Sequence, residues 1–456
     1  MAGDSPHQLD EQSWLYRPSF PDAWERLPLL SMARWVNGLA FRDFQFSERG
    51  KPVIKIAEIK GGITGQTKFT NQSFDDSVFV KSGDMLFSWS GQPETSIDVF
   101  WWRGRDGWLN QHIFKVTPID ELDPTFFFYV LRYLKPNFIG IARNKQTTGL
   151  GHVTRRDIEN IEAAFPPLAE QKAIAAVLGA LDDKIELNRR MIATLEAMAR
   201  ALFQSWFVDF DPVRAKLDGR QPTGLDPATA ALFPGTFQDS VAGHIPTGWT
   251  VKPVGEVVDC VGGGTPSTAE PQYWEGGTHH WTTPKDFSSL QAPLLLDTDR
   301  KITDAGIAKI SSSLLPAGTL LLSSRAPVGY LAIAAMPVAI NQGFIAMKCN
   351  ERASNFFMLN WCQTNMAEIE SRATGTTFAE ISKRNFRPIF VVLPPKELMT
   401  AFTAKVAPFY AQITANLYQT RTLVTLRDTL LPQLLSGELR VKSDLSINTK
   451  KGMAYG

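Results

Sequence analysis

The feature that most restricts the fold of this chain is a long internal repeat. Gly83-Asp84-Met85-Leu86-Phe87-Ser88 resembles Gly318-Thr319-Leu320-Leu321-Leu322-Ser323, Asn110-Gln111 recurs as Asn341-Gln342, Thr148-Gly149 as Thr374-Gly375, and Pro166-Pro167 as Pro394-Pro395. The offset between matched residues stays between 226 and 235 along the whole chain. Four matches in the same order at nearly the same offset indicate a duplication, so we expect two copies of one structural unit.

Each copy ends in a segment with the spacing of a paired helix. In the first segment the inward positions step alternately by four and three residues for more than four heptads. These positions are Ile174, Leu178, Leu181, Ile185, Asn188, Ile192, Leu195, Ala199, Leu202 and Trp206. Adding 228 gives Phe402, Val406, Phe409, Ile413, Asn416, Thr420, Leu423, Arg427, Leu430 and Leu434, where Thr420 and Arg427 weaken the apolar pattern. A helix over 168–206 would be about 58 Å long.

Asn188 and Asn416 occupy the same position in the two seams, near the middle of each helix. If the helices pair with each other, the two amides can meet in a parallel or an antiparallel arrangement, so they do not fix the direction. We expect them to fix the register, because a slip would place a buried amide opposite an apolar side chain. The alternative is that each helix packs on its own domain and tolerates one polar residue.

The blocks before the helices contain short β-type runs such as Val53-Ile54-Lys55-Ile56, separated by Gly, Pro and Ser/Thr loops, which is typical of mixed α/β domains. The sequence predicts an N-terminal extension over 1–23, a first block over 24–165 and a central helix over 166–207. A Pro/Gly/Asp-rich linker over 208–248 leads to a second block over 249–393, a distal helix over 394–440 and a flexible tail over 441–456.

Composition narrows the class of protein. Lys and Arg total 47 against 46 Asp and Glu, a net charge of +1, which argues against a general polyanion binder and requires any DNA contact to be local. The three cysteines form no C-x-x-C pair, so reduced thiols are expected. No signal peptide is evident and the apolar runs fall far short of the ~20 residues of a membrane span, so we expect a soluble cytoplasmic protein with no membrane partner.

Several motifs fall at matching places in both halves. They are Phe165-Pro-Pro-Leu-Ala-Glu-Gln-Lys-Ala-Ile174, Leu181-Asp-Asp-Lys-Ile-Glu-Leu-Asn188, Ser205-Trp-Phe-Val-Asp-Phe-Asp-Pro212 and Leu430-Leu-Pro-Gln-Leu-Leu-Ser-Gly-Glu-Leu439. With the duplicated plan, over about residues 24–440, the chain resembles the specificity subunit of type I restriction–modification enzymes. The second half departs at Leu393-Pro-Pro-Lys396, which is followed by Glu397-Leu398-Met399 instead of Ala-Glu-Gln.

The resemblance implies an α+β protein in which two tandem α/β target-recognition domains are separated by two long helices. These helices pair as an antiparallel coiled coil, and the whole is an internal pseudo-two-fold repeat. Such a subunit is not an enzyme: each domain reads one half of a gapped double-stranded DNA site, and the coiled coil sets the gap. It also implies two methyltransferase (modification) subunits and restriction (motor-nuclease) subunits as partners. S-adenosylmethionine, ATP and Mg belong to those partners, and no cofactor is bound by this chain.

Within this plan, cations are expected to hold phosphates, while amides and hydroxyls read base edges. The DNA-binding candidates are Arg103, Arg105, Arg143, Lys145, Gln146, Thr147, His152, Arg155, Lys285, Arg325, Arg372, Thr376, Thr377 and Lys383. Trp101-Trp102 is expected to pack in the core and not to stack on bases. Asn110-Gln111 and Asn341-Gln342 are the same in both copies, which favours a structural role or a contact common to both halves.

Two other classes of function stay open: a fused DNA methyltransferase or nuclease, and a coiled-coil scaffold that does not bind DNA. Phe165-Pro-Pro and Leu393-Pro-Pro lack the Asn or Asp that an amino-methyltransferase places before Pro-Pro, and no phosphate-loop motif occurs. Pro21-Asp22 with Glu58-Ile59-Lys60 fits a nuclease pattern only loosely. No catalytic residue is therefore assigned, and His279-His280 is not assigned to a metal site.

Overall fold

A computed structural model describes residues 18–146, 150–375 and 379–441. The chain divides into two units: unit 1 comprises Met1–Ile185 and Arg421–Gly456, and unit 2 comprises Glu186–Thr420. Residues 1–17 of the predicted extension and 442–456 of the predicted tail lie outside the described residues. Within the described part of the chain, no helix combines the length and the hydropathy needed to cross a membrane.

Among the described residues, the block of unit 1 contains twelve strands and five short α-helices. The strands are β1 (Glu25–Pro28), β2 (Ala33–Asn37), β3 (Lys51–Ile54), β4 (Phe69–Thr70), β5 (Phe79–Val80), β6 (Met85–Ser88), β7 (Ser90–Gly91), β8 (Asp98–Trp101), β9 (Gly107–Leu109), β10 (Ile113–Pro118), β11 (Gly151–His152) and β12 (Glu162–Phe165). The helices are α1 (Ile56–Gly61), α2 (Pro93–Ser96), α3 (Pro124–Tyr133), α4 (Lys135–Asn144) and α5 (Arg155–Glu159).

A four-stranded antiparallel sheet of order β2-β10-β6-β8 lies at the centre of this block, beside a second sheet of order β4-β3-β9-β5. Helix α3 packs on β8 and β10 and begins where Asp123 accepts the amides of Thr125 and Phe126, with Pro124 in the first turn. Phe87, Phe126 and Phe127 are fully buried in the core beneath it. The predicted mixed α/β character therefore follows from one apolar sheet face covered by helices.

A long helix, α6 (Leu168–Phe207), follows β12, and the predicted linker after it contains regular structure. Helices α7 (Asp211–Leu217) and α8 (Pro227–Ala231) are followed by a hairpin of β13 (Phe237–Ser240) and β14 (Gly243–Pro246). The Pro and Asp residues that suggested a linker start these helices: Asp226 caps α8, and Pro212 and Pro227 lie in first turns.

The second block, in unit 2, contains β15 (Thr250–Pro253), α9 (Val254–Val257), β16 (Asp259–Gly262), β17 (His279–Thr282), α10 (Pro284–Phe287), β18 (Leu294–Leu295), β19 (Arg300–Ile302), α11 (Asp304–Ile307), β20 (Leu320–Ser324), β21 (Val328–Ala334), β22 (Val338–Ile340), β23 (Phe344–Lys348), α12 (Asn355–Thr364), α13 (Met366–Ser371), α14 (Lys383–Phe386) and β24 (Phe390–Leu393). Its sheets have the orders β16-β23-β20-β21-β18 and β19-β17-β22. The chain ends in α15 (Lys396–Leu435).

The two blocks share the order of four strands in the central sheet and one parallel strand pair. The order β2-β10-β6-β8 in unit 1 corresponds to β16-β23-β20-β21 in unit 2, and the parallel pair β3–β9 corresponds to β17–β22. Each block opens and closes with one antiparallel pair, β1 with β12 and β15 with β24. The internal repeat predicted from the sequence is therefore a repeat of fold.

The two long helices pack antiparallel. Within unit 2, Trp206 near the end of α6 contacts Phe402 near the start of α15, with ring centroids 6.0 Å apart, whereas Asn188 contacts Thr420 at 3.4 Å. Within unit 1, an Arg427–Asp182 ion pair of 2.6 Å joins the other portions of the same helices. All twenty predicted seam positions are buried or half-buried, which confirms the predicted antiparallel pairing.

The expected meeting of the two central asparagines is wrong. Asn188 Nδ2 donates to Gln419 Oε1 at 2.9 Å and faces Thr420, while Asn416 Oδ1 accepts from Gln412 of its own helix. Asn188 Oδ1 and Asn416 Nδ2 have no hydrogen-bond partner in the described part of the chain. Residues that face each other in this helix pair have numbers that add up to about 608. Equivalent positions of the two copies differ by 228, so they face each other only near residues 190 and 418. Asn188 and Asn416 each lie about two residues before that point and therefore do not meet. A role of Asn188 and Asn416 in the register stays a prediction.

Candidate nucleic-acid interface

In unit 1 a polar cluster forms where β6 ends. The Trp89 amide donates to the His112 carbonyl at 3.2 Å, the Val153 amide donates to the Trp89 carbonyl at 2.8 Å, and β7 pairs with β11 through Ser90 and His152. The Trp89 indole N–H donates to Asn37 at 2.9 Å and its ring lies 5.7 Å from that of His112. We call Asn37, Trp89, Ser90, His112 and His152 cluster 1; all five are exposed or half-buried.

Unit 2 forms an equivalent cluster with the same backbone hydrogen bonds. The Ser324 amide donates to the Gly343 carbonyl at 2.8 Å, and the Ile381 amide donates to the Ser324 carbonyl at 2.9 Å. Arg325 and Glu380 form the bridge that corresponds to Ser90 and His152, and Arg325 Nη1 lies 3.7 Å from Glu380 Oε2. Cluster 2 is Gly262, Ser324, Arg325, Gly343 and Glu380.

The predicted unit 1 cations near β11 are held in ion pairs. Arg143 Nε contacts Glu94 at 2.6 Å, and the bond from Arg143 holds the pKa of Glu94 below its ordinary value. Lys145 Nζ lies 2.5 and 2.7 Å from the two carboxylate oxygens of Asp157. Burial opposes ionisation of Asp157, but the bonds from Lys145 and Thr154 outweigh it and lower its pKa. Lys145 therefore supports the loop, whereas the exposed Arg143 end still faces solvent.

The remaining unit 1 candidates divide between two ends of the central sheet. Arg155 is exposed beside cluster 1, with Nη1 3.4 Å from the Trp35 carbonyl, and Gln146 is exposed at the end of α4. Arg103 and Arg105 are also exposed, but they follow β8 at the end where Trp101 pairs with Met85. The structure therefore does not bring them together with cluster 1, which lies beyond Ser88.

In unit 2 the predicted residues Lys285 and Arg325 line one cavity of about 440 Å³. The cavity is also lined by Thr283, Pro284, Ser288, Ala326, Tyr330 and Asn341. Lys383 is exposed at the start of α14, while Arg372 is engaged with Glu368 at 2.7 Å. Thr147, Thr376 and Thr377 lie outside the described residues.

Two other sequence interpretations concern structural residues. Trp102 is buried and its indole N–H donates to the Arg105 carbonyl at 3.0 Å, which confirms core packing over base stacking. Asn341 Oδ1 accepts the Gly343 amide at 2.9 Å, and the amides of Asn110 and Asn341 donate to the equivalent carbonyls of Ile54 and Thr282. These repeated asparagines therefore close a turn in the fold.

Sequence reasoning missed Asn37, Trp89, His112 and Glu380. They lie outside the basic loops for which DNA contact was predicted, and the negative charge of Glu380 does not suit a phosphate contact. Extending the repeat offset to every position beside the matched Ser88 and Ser323 would have marked them as equivalent positions with different residues.

The histidine pair at the start of β17 is engaged with neighbouring side chains. His279 Nε2 lies 2.8 Å from Asp304, and His280 Nδ1 lies 2.6 Å from Lys301 Nζ. Burial and the Lys301 charge lower the pKa of His280. Across 18–146, 150–375 and 379–441 no group of three or more His, Cys, Asp or Glu side chains is arranged to hold a metal ion.

A family model described as the type I restriction modification DNA specificity domain matches the chain twice, over residues 21–197 and 246–418. The chain belongs to this family. Each match to the specificity domain covers one recognition block and continues into the long helix after it, ending inside α6 or α15. The family inferred from the sequence motifs is therefore confirmed.

Full-length relatives agree with the specificity-domain match. The HindI specificity subunit of Haemophilus influenzae is 26% identical over 405 residues, 79% of this chain and 87% of that protein. The putative MjaX specificity subunit of Methanocaldococcus jannaschii is 22% identical over 436 residues, 93% of this chain and 95% of that protein. The crystal structure of a type I restriction–modification S subunit from M. genitalium has the same fold, with a TM-score of 0.55, 15% identity, and coverage of 90% of this chain and 96% of that chain.

Proposed function

We propose that this chain is the DNA-specificity subunit of a type I restriction–modification complex and that it acts by binding, without making or breaking bonds itself. The observation that carries the proposal is the repetition of one backbone frame with different residues at the equivalent positions of clusters 1 and 2. A frame used twice with changed side chains suits a protein that reads two different sequences in the same way.

Each unit would bind one half of a bipartite, gapped site on double-stranded DNA. The exposed cations Arg143, Arg155, Lys285 and Lys383 would contact phosphates, and the polar groups of the two clusters would face base edges. Lys145 and Arg372 are tied to carboxylates, so their role would be to hold loops. The paired helices would set the gap, because each 40-residue helix is about 60 Å long.

The partners would be two methyltransferase (modification) subunits and the restriction (motor-nuclease) subunits. Leu187 and Met198 of α6 and Tyr418 of α15 are large apolar residues exposed on helices of unit 2, which suits a protein-docking surface. S-adenosylmethionine, ATP and Mg would be bound by those partner subunits and not by this chain. The complex would act in a prokaryotic cytoplasm.

The test is to combine the chain with its modification subunits and map the methylated adenines on random-sequence DNA. We expect two short half-sites separated by a constant gap. Inserting seven residues into both helices, after Arg190 and after Tyr418, keeps the heptad and adds about 10 Å of helix. The gap should lengthen by about three base pairs while both half-sites stay unchanged, since bases are spaced by about 3.4 Å.

Three results would contradict the proposal, and each points to a different conclusion. Methylation without any sequence preference would favour the scaffold alternative, and methyl transfer by the purified chain alone would favour the enzyme alternative. If the insertion altered the half-sites and left the gap constant, the helices would not set the spacing.

A further inference from the structure

Clusters 1 and 2 differ at every equivalent position, on a frame that does not change. Asn37, Trp89, Ser90, His112 and His152 in unit 1 correspond to Gly262, Ser324, Arg325, Gly343 and Glu380 in unit 2. The surrounding positions keep their type: Arg155 and Arg156 correspond to Lys383 and Arg384, and Asn110 corresponds to Asn341. Side chains that contact the DNA backbone can be of the same type in both units. Side chains that recognise bases must differ between two units that bind different half-sites.

Arg325 is the most informative of the changed residues. Its side chain is about a third exposed, and the residue lines the 440 Å³ cavity together with Lys285, Tyr330 and Asn341. In the described part of the chain its one acidic partner is Glu380, at 3.7 Å, which is longer than a charge-assisted hydrogen bond. Arg427, by contrast, contacts two carboxylates at 2.6 and 2.7 Å. Arg325 therefore keeps N–H donors directed to a concave surface that Glu380 does not saturate.

We propose that Arg325 reads a guanine in the half-site bound by unit 2 and that Glu380 is its positioning residue. This inference rests on the proposed function. The planar fork of arginine matches O6 and N7 of guanine in the major groove, and a bidentate contact of this kind discriminates by about 5- to 150-fold against another base. The Glu380 carboxylate lies 3.7 Å from Arg325 Nη1, beside the backbone bridge that joins the two residues, and would limit the rotation of the guanidinium.

The equivalent positions in unit 1 cannot impose the same requirement. Ser90 and His152 replace the arginine and the glutamate, so neither position in unit 1 carries the planar fork of an arginine. A guanine requirement at this place in the frame therefore belongs to one half-site.

The experiment uses the full chain combined with its modification subunits. Methylation rates are measured on duplexes in which each base pair of the unit 2 half-site is changed in turn. We expect Arg325→Ala to remove the preference for guanine at one position, with a change of about 5- to 150-fold, and to leave the unit 1 half-site unaltered. Arg325→Lys keeps the charge but not the fork, so it should lose the same preference with little loss of overall affinity.

Further variants separate the recognition of bases from binding to the phosphate backbone. Arg384→Ala, beside cluster 2, should weaken binding to all duplexes equally and reduce its salt dependence. Glu380→Gln should reduce the guanine preference only in part, and Glu380→Asp, which keeps the charge, should retain much of the preference. If Glu380 had a purely structural role, both variants would change the melting temperature without changing the base preference.

Unchanged base preferences in both Arg325→Ala and Arg325→Lys would overturn the inference. If the wild-type complex methylates a bipartite site, that failure concerns Arg325 alone. If the wild-type complex has no sequence preference, the proposed function itself fails.

Discussion

Asp182 is the acceptor for a buried arginine in the helix pair of unit 1, and its replacement by alanine should destabilise that unit strongly. Arg427 Nη1 donates to Asp182 at 2.6 Å, and the Tyr129 hydroxyl of α3 donates to the other carboxylate oxygen at 2.6 Å. The Arg427 side chain is 10% exposed and that of Asp182 is 21% exposed. Burial raises the pKa of Tyr129, and although burial opposes the charge of Arg427, Asp182 and Asp428 raise its pKa.

The magnitude follows from leaving the buried Arg427 charge with only one of its two carboxylate partners, Asp428, whose side chain is 54% exposed. Removing one member of a buried ion pair costs about 3–5 kcal/mol, and the partial exposure of Asp182 favours the lower end of that range. The expected loss is therefore about 3 kcal/mol, or roughly 6–12 °C in melting temperature for a unit of this size. A triple variant, Asp182→Leu with Arg427→Leu and Tyr129→Phe, should return to within about 1 kcal/mol of the wild type, because all three polar groups leave together.

Calorimetry gives the melting temperature, and hydrogen exchange over residues 168–185 reports which segment opens. Arg190→Ala is the matched control, since it removes an exposed pair with Glu186 in the same helix and should cost about 0.5 kcal/mol or less. The reasoning is refuted if Asp182→Ala costs no more than this control, or if the triple variant is as unstable as the single one.

Three further outcomes are expected. Gly263→Ala would place a Cβ 2.0 Å from the Ile340 carbonyl oxygen and should cost about 2–3 kcal/mol, whereas Gly264→Ala has its nearest neighbours at 3.7 Å and should change little, as thermal melts of the two variants would show. Burial raises the pKa of the Glu196 carboxyl in spite of the nearby Arg200, so the folded state favours the protonated carboxyl. The contribution of this group to stability is therefore complete at pH values below the ordinary pKa of Glu, and it is lost as the pH rises through the pKa of the folded state. Glu196→Gln should then raise the melting temperature by a few degrees at pH 7.5 and not at pH 4, and a gain equal at both pH values would contradict this. Burial raises the pKa of Cys260 to about 11 and that of Cys349 to about 12, so maleimide labelling at pH 7.5 should be slow until urea unfolds the chain, and rapid labelling of the native protein would show that these thiols are accessible.

The helices were predictable because their spacing is a local property of the sequence. A seam of ten positions in each copy specified two long helices, and Ala199 or Ile413 needed no information from elsewhere in the chain. Arg427 looked like a defect in the same pattern, because its partner Asp182 lies 245 residues earlier. A buried polar pair depends on which residues face each other, and periodicity does not contain that information.

The candidate site was predictable only in part, for the same reason. Basic residues are visible in the sequence, so Arg155, Lys285, Arg325 and Lys383 could be predicted as DNA-binding candidates, and that role stays a prediction. Their difference from Lys145, which is tied to Asp157, depends on tertiary contacts. The expected meeting of Asn188 and Asn416 failed because it assumed pairing that is symmetric about the helix midpoints, whereas the packed helices place Asn188 opposite Thr420.

The strand pairs that open and close each block have an evolutionary consequence. Because β1 pairs with β12, and β15 with β24, the chain enters and leaves each block through a single antiparallel strand pair with four residues on each strand. A block can therefore be exchanged for another that has a matching strand pair and keeps the apolar residues that pack on the long helices. New sequence preferences can then arise by recombination of whole cassettes, one half at a time, and need not wait for point mutations.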